Sequence, residues 1–197
     1  MRIIKSYLII GFLALVTSSY AQKVYTENDI RIIPKPTQTL IKTGVFEFNK
    51  DTKFVTSNDF QKEAANALAS KFAIAAGWKP ETVVKAPTSN FVQFKVDPNI
   101  KSEAYILDVN PNSIVISAKG NTGFLYGLES VRQLLPETIE SQYAITSAKW
   151  QIPSLTITDE PRFKWRGLML DLSRHFFDKN YIRHDNTIES IHILLLE

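Results

Sequence analysis

Apolar positions along this chain change their spacing several times, and each change marks an element. Phe60, Ala64, Leu68 and Phe72 recur every four residues behind Asn58 or Asp59, either of which can cap a helix. The stripe predicts a helix to Ala76, with Gly77 as a left-handed stop, and its many alanines agree with it. A second helix is predicted from a Thr122 cap through Leu135, with Phe124, Leu128, Val131 and Leu135 on one face and Pro136 at its end. Elsewhere the spacing falls to two. VFEF at 45–48 and KFVT at 53–56 alternate on either side of a turn at Asn49-Lys50-Asp51. FVQFKV at 91–96, AYILDV at 104–109 and SIVISAK at 113–119 do the same, the last two joined by an Asn110-Pro111-Asn112 turn.

Prolines bound the remaining pieces. Ile30 to Pro36 starts as a short strand that its two prolines stop, because they remove ladder donors. Residues 137–151 read as a connector, followed by Pro153 and the strand SLTIT at 154–158. Strands and helices in this order predict an α+β domain, a sheet with helices on one face, over residues 30–160. A turn at Asp159-Glu160-Pro161 then sets a domain boundary near 158–162, and residues 161–197 form a second segment.

The N-terminus carries a different signal. Arg2 and Lys5 precede the ten-residue apolar run YLIIGFLALV, and Ser19-Tyr20-Ala21 places small residues at a cleavage site. Ten helical residues rise about 15 Å, half of a hydrocarbon core of about 30 Å, so residues 1–21 read as a signal peptide and not as a membrane span. Export to the periplasm or the medium follows, with Gln22 as the mature start and residues 22–29 as a flexible leader. The formal charge of +3 falls by two when Arg2 and Lys5 leave. No run of basic residues interleaved with aromatics favours nucleic acid. The absence of cysteine excludes disulfides and thiolate-bound metals.

Candidate chemistry gathers at three places. GNTGFLYG at 120–127 follows a strand and opens a helix, yet it lacks the spacing of a dinucleotide or phosphate loop and reads as a tight turn with close helix packing at Gly127. His175, His184 and His192, with Asp171, Asp178 and Asp185, lack the i, i+4 histidine spacing of a helical metal site, and Ser173 has no nucleophile-elbow glycines. Arg166 stands at the entrance of the apolar run LML. An arginine there must reach solvent, pair with an acid such as Asp171, or face a polar cavity, and physics alone favours the ion pair.

The segment PRFKWRGLMLDLSRHFF at 161–177 resembles the start of the catalytic barrel in family 20 glycoside hydrolases, the β-N-acetylhexosaminidases. IIPKP with VFEF, and AYILDV through SIVISAKGNTGFLYGLESVRQLLP, resemble that family's N-terminal α+β domain. The likeness covers residues 30 to about 180. It implies a non-catalytic sheet-and-helix domain followed by a TIM barrel that removes terminal N-acetylhexosamine from glycans. It also implies that the substrate's own 2-acetamido oxygen acts as nucleophile, with an Asp-Glu pair to orient it and to protonate the leaving oxygen. No metal or organic cofactor is implied. Carried onto this chain, Arg166 matches the arginine that grips the sugar's 3- and 4-hydroxyls, in place of the ion pair. Asp171, Arg174 and His175 match residues that support the site.

The resemblance stops after about Asn180. YIRHDNTIESIHILLLE carries neither the histidines nor the acids of the family's second barrel strand, and no Asp-Glu pair follows. A (β/α)8 barrel takes about 250 residues, so residues 161–197 are expected to hold only an incomplete start of one. The expectation is a fragment of an exported hexosaminidase, inactive by itself. A binding or scaffold module made of the α+β domain is the alternative, and an intact enzyme of this length is disfavoured.

Overall fold

The computed structural model describes residues 24–167. The chain divides into two compact units, one ending at Glu160 and one beginning at Pro161. In the first, seven strands form one sheet: β1 (Gln38–Glu47), β2 (Lys53–Val55), β3 (Glu81–Val83), β4 (Phe91–Val96), β5 (Tyr105–Asn110), β6 (Ser113–Ala118) and β7 (Gln151–Asp159). Their order is β1-β7-β5-β6-β4-β2-β3. Two helices accompany them, α1 (Asp59–Ala75) and α2 (Asn121–Leu134), with single 3-10 turns at Glu27–Asp29 and Glu137–Glu140. This is the α+β architecture the sequence predicts.

The sheet is mixed for a topological reason. β2 and β3 lie side by side and parallel, which requires a crossover, and α1 is that crossover. β2, β4 and β6 continue the parallel half, while β6, β5, β7 and β1 pair antiparallel. The β5–β6 hairpin closes on the pair Asn110 and Ser113 with Pro111-Asn112 as its turn. Alternation places Tyr105, Leu107, Val109, Ile114, Ile116, Val92 and Phe94 on the buried face. Both helices pack on that side and touch each other. Phe46, Phe48, Phe72, Trp78 and Trp150 form an aromatic cluster there, with successive ring centroids 4.9 to 5.7 Å apart. Rings at such distances stabilise beyond the area they bury.

Several sequence expectations shift. Residues 30–36 are not a strand: Ile32 is buried in the core, and the Ile33 amide donates to Gln133 Oε1 at 2.8 Å. β1 starts at Gln38, seven residues before VFEF, because a bulge between Ile41 and Val45 carries Gly44 at φ +104 and hides the alternation. β7 starts at Gln151 and runs through Pro153, which lies where β1 pairs with it but beyond the β5 ladder. A residue without an N–H is tolerated at such a place. β3 is an edge strand of three residues with no periodic signal to read.

Both helices keep their positions but not all of their details. Asn58 is the α1 cap, its Oδ1 accepting from the Gln61 amide at 2.9 Å. Its buried face is Gln61, Ala65, Leu68, Ala69, Phe72 and Ala75, so Phe60 and Ala64 sit half-buried at the margin. A strict four-residue stripe drifts around a helix of 3.6 residues per turn. The helix stops where expected, with Gly77 at φ +77. α2 begins earlier than a Thr122 cap allows: Gly120 is the N-cap, and its carbonyl accepts from the Phe124 amide at 3.2 Å.

Candidate functional site

The residues singled out for sugar binding fall in the second unit, of which 161–167 are described. Those seven residues hold no helix or strand. Phe163 and Trp165 are exposed, the latter at 95%. Arg166 is also exposed, and its Nη1 donates to the Phe163 carbonyl, a local contact across three residues. Asp171, Arg174 and His175 lie outside the described residues, as do Ser173, His184 and His192, the predicted signal peptide and the LML run. Arg166 is thus the one member of the predicted set that lies within the described residues.

Two clusters in the first unit gather several polar side chains around one carboxylate. On the sheet face away from the helices, Asp108 of β5 receives Lys42 of β1, Thr156 Oγ1 at 2.9 Å and Asn110 Nδ2 at 2.9 Å. Burial would raise its carboxyl, but these donors outweigh burial and hold it below the usual carboxylate range. Between the helices, Glu140 accepts from Lys71 of α1 at 2.6 Å and from Arg132 of α2 at 2.5 Å, and Arg132 also reaches Glu129 at 2.6 Å. Burial again opposes ionisation, and again the two cations win, so the Glu140 carboxyl is lowered. A general acid needs its pKa raised toward the working pH. Asp108 and Glu140 are shifted the other way, so both serve as fixed anions that join elements.

GNTGFLYG resolves as packing. A Cβ on Gly123 would stand 2.4 Å from the Ala104 carbonyl oxygen, and one on Gly127 2.4 Å from Ile116 Cγ2. Both glycines let α2 lie directly on β5 and β6. Beneath that contact the Tyr105 hydroxyl meets Ser130 Oγ at 2.6 Å, and Ser130 donates to the Tyr126 carbonyl at 3.1 Å. Burial pushes the Tyr105 phenol up to about 12. No group of three metal-ligating side chains occurs among the described residues. No described helix is long and apolar enough to cross a membrane.

Sequence reading missed the Asp108 cluster. Its signal was half visible, since YILDVN puts Asp108 and Asn110 on the face opposite Leu107 and Val109. Lys42 and Thr156 join them only through the sheet register, which no local pattern contains.

A mixed seven-stranded sheet with two helices on one face, a family of folds by itself, meets a specific sequence match here. Residues 29–160 match the family model described as glycosyl hydrolase family 20, domain 2. The chain belongs to glycosyl hydrolase family 20. It is 31% identical over 160 residues to a β-hexosaminidase of Porphyromonas gingivalis, an alignment covering 80% of this chain and 20% of that protein. It is 38% identical over 93 residues to β-hexosaminidase A of Caenorhabditis elegans, covering 47% of this chain and 16% of the other. Among solved structures, a β-hexosaminidase of Streptomyces plicatus in complex with its product GlcNAc superposes with a TM-score of 0.70 at 27% identity, covering 82% of this chain and 33% of that one. The chain thus spans between about a sixth and a third of the length of these relatives. The family match ends at residue 160, before Arg166.

Proposed function

We propose that residues 24–160 are the non-catalytic sheet-and-helix domain of an exported exo-β-N-acetylhexosaminidase. The whole protein's substrate is then a glycan ending in N-acetylhexosamine. The observation that carries this reading is the family 20 match across the entire first unit, together with its fold. In the whole enzyme the 2-acetamido oxygen of the substrate attacks the anomeric carbon, and an Asp-Glu pair supplied from outside the described residues positions that group and protonates the leaving oxygen. Arg166 is read as the clamp on the sugar's 3- and 4-hydroxyls, a task suited to a planar fork of donors, with Asp171, Arg174 and His175 supporting it. The reaction asks for no metal or organic cofactor. Nucleic acid is not a partner, and the signal peptide directs the protein to the periplasm or beyond.

Asp108 and Glu140 are held ionised, and no Asp-Glu pair follows Asn180 in the sequence, so this chain alone is expected to be inactive. Purified chain should release no p-nitrophenol from p-nitrophenyl N-acetyl-β-glucosaminide. A chimera with residues 24–167 in place of the matching part of the P. gingivalis relative should hydrolyse it. In that chimera, Arg166→Ala should lower kcat/KM at least a hundredfold, since each lost hydrogen bond from a charged donor costs about 1.5–3 kcal/mol. An active chain alone, or an indifferent Arg166→Ala chimera, would contradict the reading. The first unit's own core, closed over by two helices, also favours a second reading as a binding or scaffold module. An inactive chimera that still folds would point there.

A further inference from the structure

A cavity of about 420 Å³ opens in the first unit between the leader, the C-terminal end of α2 and the start of β7. That volume lies in the range of small-molecule sites. Leu134, Pro136 and Pro153 give it an apolar lining, and Tyr25 adds an aromatic side chain with a polar tip. Around them stand Arg31, Gln133, Glu137 and Gln151. The Gln133 oxygen accepts from the Ile33 amide, which ties the leader to α2 and leaves the Gln133 Nε2 as a donor. No side-chain hydrogen bond or ion pair joins Arg31, Glu137 or Gln151 to another described residue. Arg31, Glu137, Gln151 and the Gln133 Nε2 therefore border the same space without bonding one another.

The composition narrows the ligand. With the Asp29 carboxylate engaged by Thr26, Glu137 and Arg31 balance one another in charge around the lining, which suits a neutral ligand. A single aromatic side chain offers no pair of planes between which a nucleobase could stack. Apolar surface bordered by amide, carboxylate and guanidinium groups fits a ring whose faces are C–H and whose edge is hydroxyl. We propose that this cavity is a saccharide subsite taking one neutral pyranose unit. The proposal rests on the cavity's lining, and the hexosaminidase reading supplies only the choice of probe.

The test is an amide NMR titration of the full chain with methyl N-acetyl-β-glucosaminide. Saturable shifts are expected at the side-chain amides of Gln133 and Gln151 and at the backbone amides of Arg31 and Glu137, with a millimolar midpoint. Arg31→Ala, at an exposed position, and the double variant Arg31→Ala/Gln151→Ala should weaken binding at least tenfold while the remaining spectrum keeps its dispersion. Arg166→Ala should leave these shifts unchanged. The proposal fails if the intact chain shows no saturable shift at these residues, or if N-acetylalanine methylamide reproduces the shifts. It fails equally if Arg31→Ala binds as well as the parent. If Arg166→Ala abolishes the response, the sugar sits at Arg166, which removes the subsite and leaves the hexosaminidase reading intact.

Discussion

Tyr105 shows how a single buried group can report on the whole sheet. Its hydroxyl is sealed between β5 and α2 with Ser130 as partner, and burial lifts its pKa from 10.0 to about 12. A phenol whose folded value exceeds its unfolded one stabilises fully below the unfolded pKa. That contribution is lost as pH rises through the interval from 10 to 12. At about 1.36 kcal/mol per pKa unit, the loss can reach about 2–3 kcal/mol. Urea midpoints measured from pH 9 to pH 12 should fall for the parent and fall less for Tyr105→Phe. Parallel curves for the two would show that the phenol titrates freely. Asp108 and Glu140 work in the opposite direction: their lowered values stabilise above the ordinary carboxylate pKa of about 4 and lose that effect in more acidic solution. Both are partly exposed, which limits each to about 1 kcal/mol. None of these residues could be recognised as a pair in the sequence, because Lys42 and Asp108 are 66 residues apart and sit on strands with β7 between them.

At the scale of elements, legibility followed locality. The two helices were readable because propensity, spacing and stop signals lie within a few turns of each residue they concern. Gln61 is where that reading slipped. A fully buried amide looks like an error on an apolar face, but its Oε1 takes the Ser57 amide at 2.8 Å and the Ser57 hydroxyl at 2.9 Å, sealing the turn before α1. Asn58 completes the same junction by capping the Gln61 amide. Asn58→Ala should destabilise the domain by about 1 kcal/mol, and Asn58→Asp by much less, since Asp keeps the accepting oxygen and favours the helix N-terminus. Equal losses by chemical denaturation would mean the cap contributes through its amide and not its acceptor. β1 and β7 were misjudged for the opposite reason. A bulge and a proline break their local pattern, and only pairing with each other restores it.

For the molecule as a whole, the core of the first unit runs, among the described residues, from Ile32 to Ile157. Residues 24–160 expressed alone should therefore unfold in one cooperative urea transition, seen identically by tryptophan emission and far-UV circular dichroism. Non-coincident curves would mean that this unit borrows stability from the rest of the chain. The family and the α+β fold could be read from sequence because the hairpin, the glycine-opened helix and the aromatic strands are consecutive in the chain. Arg166 was also visible as a polar residue at an apolar boundary. The role proposed for it calls for walls contributed by residues far from it in sequence, and no pattern within 161–167 encodes their geometry.

The placement of β7 between β1 and β5 has a consequence for the order in which the protein is made. Among the described strands, β1 is the first to be synthesised and its sheet neighbour β7 is the last. With roughly a hundred residues between them, and translation at about 5–20 residues per second, β1 waits for about 5–20 seconds with both of its edges open. The glycine at 44 and the charge of Lys42 are then useful before any sheet exists, because a weak strand former and a charge keep an unpaired strand from adding to another nascent chain.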